Sequence, residues 1–281
     1  MLLFKNIHHI QEYLQKQRAS GKSYGFIPTM GALHRGHISL IEASKKENDF
    51  TVSSIFVNPT QFNDPLDFEK YPVTIEKDIQ LLLQVKCDVL FLPTVNEIYP
   101  DGLQTDKNYN LGHLETVLEG KYRPGHFQGV CRVVHRLLDI IKPPVIYLGQ
   151  KDYQQCMVIK KLTELSGIAT GIKICPTLRE ESGLAMSSRN MRLNEAGKQK
   201  ASAIYNTLLF LKNNIKKGPL AAIKEEAHAM LAEAAFKTDY IEIADAATLE
   251  IQHEWNGKTK IVALAAAFLN DVRLIDNLLL N

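Results

Sequence analysis

Over the first 180 or so residues, short continuous apolar runs alternate with stretches in which apolar side chains recur every three or four positions. Ile7, Ile10 and Leu14 keep helical spacing, and Gly21 follows as a stop. Ile38 and Ile41 share one side of 37–46, and Ile75, Ile79, Leu82 and Leu83 share one side of 74–85. Helices are predicted over 130–141 and 154–166 as well. Between them lie runs too short for helices, at 24–27, 51–57, 87–92, 145–148 and 172–175, rich in Val, Ile, Phe and Tyr and ended by Pro, Asn or Gly. This alternation predicts βαβ units with right-handed crossovers and hence an α/β fold around a Rossmann-like parallel sheet. Ligands of such sheets bind beyond the carboxyl ends of the strands. The polar motifs of the chain follow Ile27, Val57, Leu148 and Cys175, at those ends.

The texture changes beyond about residue 180. Residues 194–217 and 220–237 read as two helices, the first closed by Gly218-Pro219, and alternation then marks 240–243 and part of 260–269. The expected division is a larger α/β domain over 1–178 and a smaller C-terminal α+β domain over 179–281.

Composition narrows the function classes. A length of 281 residues suits one large or two ordinary domains. The net charge of +2 is too near zero to argue for nucleic acid or an acidic membrane, so any anion binding must come from local geometry. The longest apolar run, Ile261 to Leu269, falls well short of the ~20 residues that span a bilayer. Cys87, Cys131, Cys156 and Cys175 lie far apart, with no C-x-x-C, and the N-terminus lacks an apolar signal region. Reduced thiols in a cytoplasmic protein are expected.

Five stretches carry candidate chemistry. Pro28-Thr29-Met30-Gly31-Ala32-Leu33-His34-Arg35-Gly36-His37 has two glycines five apart, as a phosphate loop does, but His37 and Ile38 replace the lysine and hydroxyl residue. His34 and His37 admit three readings: a metal pair, two loop histidines capping a helix, or phosphate donors at a helix N-terminus, where free N–H groups and a partial positive charge favour anions. Leu184-Ala185-Met186-Ser187-Ser188-Arg189-Asn190 sets two hydroxyls beside a guanidinium, a group that can wrap phosphate oxygens. Gly149-Gln150-Lys151-Asp152-Tyr153-Gln154-Gln155 ends a strand with a lysine for phosphate and an aspartate for ribose hydroxyls. Phe56-Val57-Asn58-Pro59-Thr60-Gln61-Phe62-Asn63 puts an amide beside two aromatics, suited to a small polar molecule with an apolar body. Glu119 to Phe127, with glycines and cations, reads as a mobile lid.

Together these stretches closely resemble the pantoate–β-alanine ligase family. The match extends through Y-P-V-T at 71–74 with Asp78 after it, E-G-K-Y-R-P-G-H-F-Q-G-V at 119–130, and R-L-I-D-N at 273–277, in family order over almost the whole chain. The resemblance implies a class I synthetase or nucleotidyltransferase type of sheet and an AMP-forming ligation in two steps. Pantoate's carboxylate attacks the α-phosphate of ATP, and the amine of β-alanine then attacks the resulting acyl adenylate. It implies that His34, His37, Lys151 and Arg189 act on the reacting phosphates and that Met30, Gly149, Asp152, Met186, Ser187 and Ser188 complete the ATP site. Gln61, Gln155 and Met30 would hold pantoate, and Asp78 would stand near Mg2+, acting indirectly. Glu119 and Arg123 fall at functional-looking lid positions, and His126 at a structural one. A homodimer is also implied. Two departures stand out: Ser182-Gly183 where the family usually has Asp-Gly, and Cys131-Arg132 where it usually has small residues or threonine. Two other function classes remain at this point: a nucleotidyltransferase that keeps the nucleotide in its product, and a nucleotide-binding regulator without turnover.

Overall fold

A computed structural model describes residues 1–104 and 107–281. In chain order its elements are β1 (Leu2–Phe4), α1 (Ile7–Ala19), β2 (Tyr24–Thr29), α2 (Arg35–Glu47), β3 (Phe50–Ile55), α3 (Pro65–Glu69), α4 (Ile75–Gln84), β4 (Val89–Phe91), α5 (Val95–Ile98), α6 (Leu118–Tyr122), α7 (His126–Ile141), β5 (Val145–Gly149), α8 (Tyr153–Ser166) and β6 (Gly171–Cys175). There follow α9 (Glu195–Ala201), α10 (Ala203–Asn214), β7 (Gly218–Pro219), α11 (Ala221–Glu233), β8 (Lys237–Asp245), β9 (Glu254–Trp255), β10 (Ile261–Leu269) and β11 (Val272–Leu279).

The first six strands form one sheet in the order β1-β4-β3-β2-β5-β6, and every pair in it is parallel. Its inner strands β2, β3, β4 and β5 are buried almost throughout, whereas the edge strands β1 and β6 are largely exposed. Tyr24 and Phe26 of β2 enter a core with α1, α7 and α8, while Ile27 points the other way, into a core with Ile38 and Ile41 of α2 and Leu82 of α4. The strand order reverses between β2 and β5, because β2 connects onward to β3 on one side and meets β5 on the other. Such a reversal opens a crevice at the carboxyl ends of the two strands.

The second sheet is antiparallel, in the order β11-β10-β8. Its central strand explains the apolar run at 261–269. Val262, Leu264 and Ala266 join the core that contains α7 and α8, whereas Ile261, Ala263, Ala265 and Ala267 pack with α10 and α11. A strand buried on both faces has no polar alternation, and its first face ties the C-terminal part to the parallel sheet.

Several predicted boundaries shift. The helix expected over 194–217 is two helices broken at Ser202, and Gly218-Pro219 pairs with Glu254–Trp255 as a short ribbon instead of only ending a helix. The helix expected from 130 begins at His126. The short strand β1 and the long strand β11 carry no clear period in the sequence: β1 has only three residues, and β11 interrupts its apolar face with Arg273, Asp276 and Asn277.

Candidate active site

The loop after β2 is built by its glycine. Gly31 takes φ +83° and Ala32 φ +48°, a reversal that glycine makes at little cost. Asp78, 1% exposed on α4, then holds the reversed loop: its carboxylate accepts from the amides of Ala32 at 2.9 Å and Leu33 at 2.7 Å, and from the Thr74 hydroxyl at 3.2 Å. The loop delivers His34 to the N-cap of α2, where a reciprocal capping pair forms. His34 Nδ1 accepts from the Gly36 amide at 3.1 Å, and His37 Nδ1 accepts from the His34 amide at 3.3 Å. Accepting at Nδ1 leaves each neutral ring its proton on Nε2. Burial, together with the charge of His37 and of Lys151, lowers His34 to about 3. Burial and then Lys151 lower His37 to about 4. Both imidazoles are therefore neutral Nε2–H donors at pH 7. The capping reading and the anion-donor reading hold together, since one nitrogen caps and the other is free to donate.

These groups face a cavity of about 760 Å³ at the reversal between β2 and β5. Met30, His34 and His37 form one wall. Gly149, Lys151 and Asp152 come from the turn after β5, and Gln155 from the first turn of α8. Lys151 Nζ lies 3.5 Å from the Asp152 carboxylate.

Met186, Ser187, Ser188 and Arg189 close the cavity from the C-terminal side. They follow a hairpin in which the Arg179 and Ala185 backbones pair. Gly183 turns it at φ +88°, with Tyr205 so close that a Cβ there would lie 2.4 Å from the ring. Ser182 keeps the turn with its hydroxyl, which accepts from the Leu184 amide at 3.4 Å, so the departure there leaves the geometry in place. Ser187 caps the following 3₁₀ turn by accepting from the Arg189 amide at 3.3 Å. The two signature loops meet: a methyl group on Gly36 would come 3.7 Å from Met186 Cβ.

Gln61, on the 3₁₀ turn Pro59–Gln61, points its amide at Met30, with Nε2 3.1 Å from Sδ. Fully buried Asn58 orders that turn. It donates to Gln61 Oε1 and to the Gly129 carbonyl, both at 3.2 Å, and accepts from Thr60 and from the Tyr99 hydroxyl. His126 Nδ1 donates to the Gln61 carbonyl at 2.7 Å and Nε2 accepts from Arg123 at 3.1 Å, which makes it a neutral spacer lowered to about 4 by burial and then by Arg123.

The 119–127 stretch, expected as a lid, lies against the second sheet in this structure. Glu119, 6% exposed, takes a two-pronged contact from Arg273 at 2.8 Å and 2.8 Å and the Tyr240 hydroxyl at 2.8 Å. Tyr122 donates to the Asp239 carbonyl. Asp78 alone among the expected site residues does not line this cavity. It borders a smaller neighbouring one of about 200 Å³, and both its oxygens are engaged in holding the loop. Among the described residues no group of three His, Cys, Asp or Glu side chains is placed to hold a metal.

Cavity residues given no role by the sequence also emerge. Asp67 on α3 meets Arg189 at 2.8 Å and Arg192 at 3.7 Å, and the Tyr71 hydroxyl lies 3.5 Å from Ser188. D-P-L-D-F carries no periodic or motif signal, because the pairing joins positions 122 apart in sequence. Arg132 donates to the Leu103 carbonyl at 2.9 Å and Cys131 is fully buried, and α7 runs through both unbroken.

Residues 2–279 match the family model described as pantoate-beta-alanine ligase. A pantothenate synthetase from Cytophaga hutchinsonii is 45% identical over 100% of this chain and 99% of its own length. One from Flavobacterium psychrophilum is 42% identical over 99% of each. Among solved structures, the pantothenate synthetase of Thermus thermophilus superposes with a TM-score of 0.87 at 37% identity, covering 100% of this chain and 99% of that one. The Francisella tularensis pantoate-beta-alanine ligase, solved with beta-gamma ATP and beta-alanine, gives 0.82 at 39% identity, covering 100% and 98%. With its parallel sheet, its paired signature loops and a match over nearly every residue, the chain belongs to the pantoate–β-alanine ligase family.

Proposed function

We propose that this protein condenses pantoate with β-alanine at the expense of ATP, through a pantoyl adenylate, releasing AMP and pyrophosphate. The observation that carries the reading is the convergence of three separate segments, His34/His37, Lys151 and Ser187–Arg189, on one cavity. A pantoate carboxylate oxygen attacks the α-phosphorus, and the bond to the bridging oxygen of the β-phosphate breaks. Charge then accumulates on the non-bridging oxygens and on the departing pyrophosphate. The Nε2–H groups of His34 and His37 donate to those oxygens, and Lys151 and Arg189 supply fixed positive charge, with Ser187 and Ser188 as further donors. Preorganised donors of this kind are worth about 10²–10³ in rate each. Gly149 and Asp152 meet the ribose, Met186 lines the nucleotide side, and Gln61, Gln155 and Met30 hold pantoate. In the second step the β-alanine nitrogen attacks the acyl carbon, AMP leaves, and the nitrogen sheds a proton. Positioning performs most of the work, since no covalent enzyme intermediate is involved.

Magnesium belongs to this reading as the counter-ion of the triphosphate. Asp78, whose oxygens are taken up by backbone amides, does not fit as a direct ligand and is assigned to shaping the histidine loop. A division of the chain near residues 178 and 179, homodimeric assembly and a cytoplasmic location complete the proposal. Its support is the family resemblance, along with the absence, among the described residues, of a helix long and apolar enough to cross a membrane.

The test is AMP release from MgATP, pantoate and β-alanine, with omission of each. AMP must require both organic substrates, and withholding β-alanine must leave an acyl adenylate that can be trapped. Nucleotide retained in the final product would instead indicate a transferase. His37→Ala is expected to cut adenylate formation at least 10²-fold with the fold intact by circular dichroism; near-normal turnover would remove the histidine loop from the mechanism.

A further inference from the structure

The R-L-I-D-N segment of β11 has no part in the chemistry just described, yet three of its side chains leave the strand for the cavity walls. Arg273 grips Glu119. Asp276, 5% exposed, takes Arg179 of the Ser-Ser-Arg hairpin at 2.6 Å and 3.0 Å. Asn277, 2% exposed, reaches the turn that carries Lys151. Its Nδ2 donates to the carbonyl of Gln150 at 2.9 Å and to that of Lys151 at 2.8 Å, and its Oδ1 accepts from Gln150 Nε2 at 3.4 Å.

The turn needs such a partner. Residues 150–152 form a single 3₁₀ turn between β5 and α8. Backbone carbonyls in such a place need donors. Asn277 supplies two from one amide. Lysine is a point charge on a four-carbon stem, so its aim depends on where its backbone is held.

We propose that Asn277 is a positioning residue for Lys151: by donating to both carbonyls of the turn, it fixes the backbone from which the lysine meets the triphosphate and pantoate. The inference rests on the assignment of Lys151 to those substrates. It adds β11 to a site whose phosphate donors come from both parts of the chain, His34, His37 and Lys151 from the first and Ser187, Ser188 and Arg189 from the second. A displacement of about 1 Å in such a group costs on the order of 10² in rate.

The experiment is single-turnover pyrophosphate release with MgATP and pantoate, β-alanine withheld, for the unaltered protein, K151A, N277A, N277D and the double variant K151A/N277A. Asn277→Asp keeps the side-chain shape and removes both donors, and it carries the comparison should N277A fold poorly. Both Asn277 variants are expected to slow adenylate formation by about 10²-fold. In the K151A background the Asn277 change is expected to add less than about twofold, because a residue acting through the lysine has nothing left to act on. A merely structural loss would multiply with the lysine loss. Multiplying effects, or a normal rate in N277A and N277D while K151A is impaired, would overturn the proposal and leave the ligase reading standing. A normal rate in K151A itself would remove Lys151 from the mechanism and the proposal with it, whereas no pyrophosphate release by the unaltered protein would overturn the ligase reading; neither comparison needs an Asn277 variant.

Discussion

At the scale of single residues, the cavity separates neutral donors from charged ones. His34 and His37 stay uncharged because their rings are desolvated and lie near Lys151. In a nuclear magnetic resonance titration of the free protein, the His37 ring is expected to change charge near pH 4, not near the ordinary 6.5. A midpoint near 6.5, assigned by comparison with His37→Asn, would mean the ring is far more hydrated than its place at the helix start implies. Arg189 is handled differently. Its guanidinium is already matched by Asp67 at 2.8 Å, and although burial works against that carboxylate's charge, the Arg189 hydrogen bond and charge hold it below the usual carboxylate range. Triphosphate therefore competes with Asp67 for the charge of Arg189. The pair is partly exposed, and such pairs are worth up to about 1 kcal/mol. Asp67→Asn is accordingly expected to tighten ATP binding by about two- to fivefold in calorimetry. Weaker binding would show that Asp67 aims the arginine instead of competing for it.

At the scale of elements, the tightest fit is between α7 and the Gln61 turn. A Cβ on Gly129 would stand 2.1 Å from the Thr60 carbonyl oxygen and 2.6 Å from Gln61 Cα, both backbone atoms. Gly129→Ala must then push the turn away from the helix, at about 1–3 kcal/mol for an overpacked site. The expected signature is a raised KM for pantoate with KM for ATP little changed, measured at saturating co-substrate. Equal effects on both would mean that the whole cavity, not the turn, had moved. The same contact marks where sequence reading stops. The strands and helices around the parallel sheet were legible because each carries its period locally, and the signature loops because their residue types are unusual at those spacings. Asp67 looks ordinary within its own segment, and the motifs that contain Asn58, Gly129 and Asn277 do not tell what those residues hold. Their roles exist only once chain segments 71 to 127 positions apart are brought together. The 119–127 stretch adds one more contact of this kind: Glu119 is paired to a residue 154 positions away that no local pattern announces.

At the scale of the whole molecule, that pairing joins the two sheets and sets how the protein responds to acid. Burial opposes charge on Glu119, but the hydrogen bonds and charge of Arg273, with Arg123 behind them, hold its carboxyl down to about 2. Its folded value lies below its unfolded one of 4.5, so its stabilisation is complete above pH 4.5 and is lost as pH falls from there toward 2. His34, His37 and His126 move stability the same way over a higher range. Each is depressed from 6.5, so the unfolded chain takes up the proton first, and stability declines as pH falls from about 6.5 toward 4. Urea midpoints are therefore expected to drop in two stages, with His126→Asn softening the upper one. The ion pair itself can be examined at pH 7.5, where all these groups hold their native charge. Arg273→Met leaves a buried carboxylate without its main partner, and Glu119→Leu leaves a buried guanidinium with Asp239 alone; breaking one side of such a pair typically costs about 3–5 kcal/mol. Removing both restores charge balance at the junction, so the double variant is expected to lose clearly less than the sum of the single losses. Simple addition of the two would mean that Glu119 and Arg273 stabilise α6 and β11 separately, and that other contacts, such as the apolar face of β10 and the Asn277 bonds, hold the two parts together.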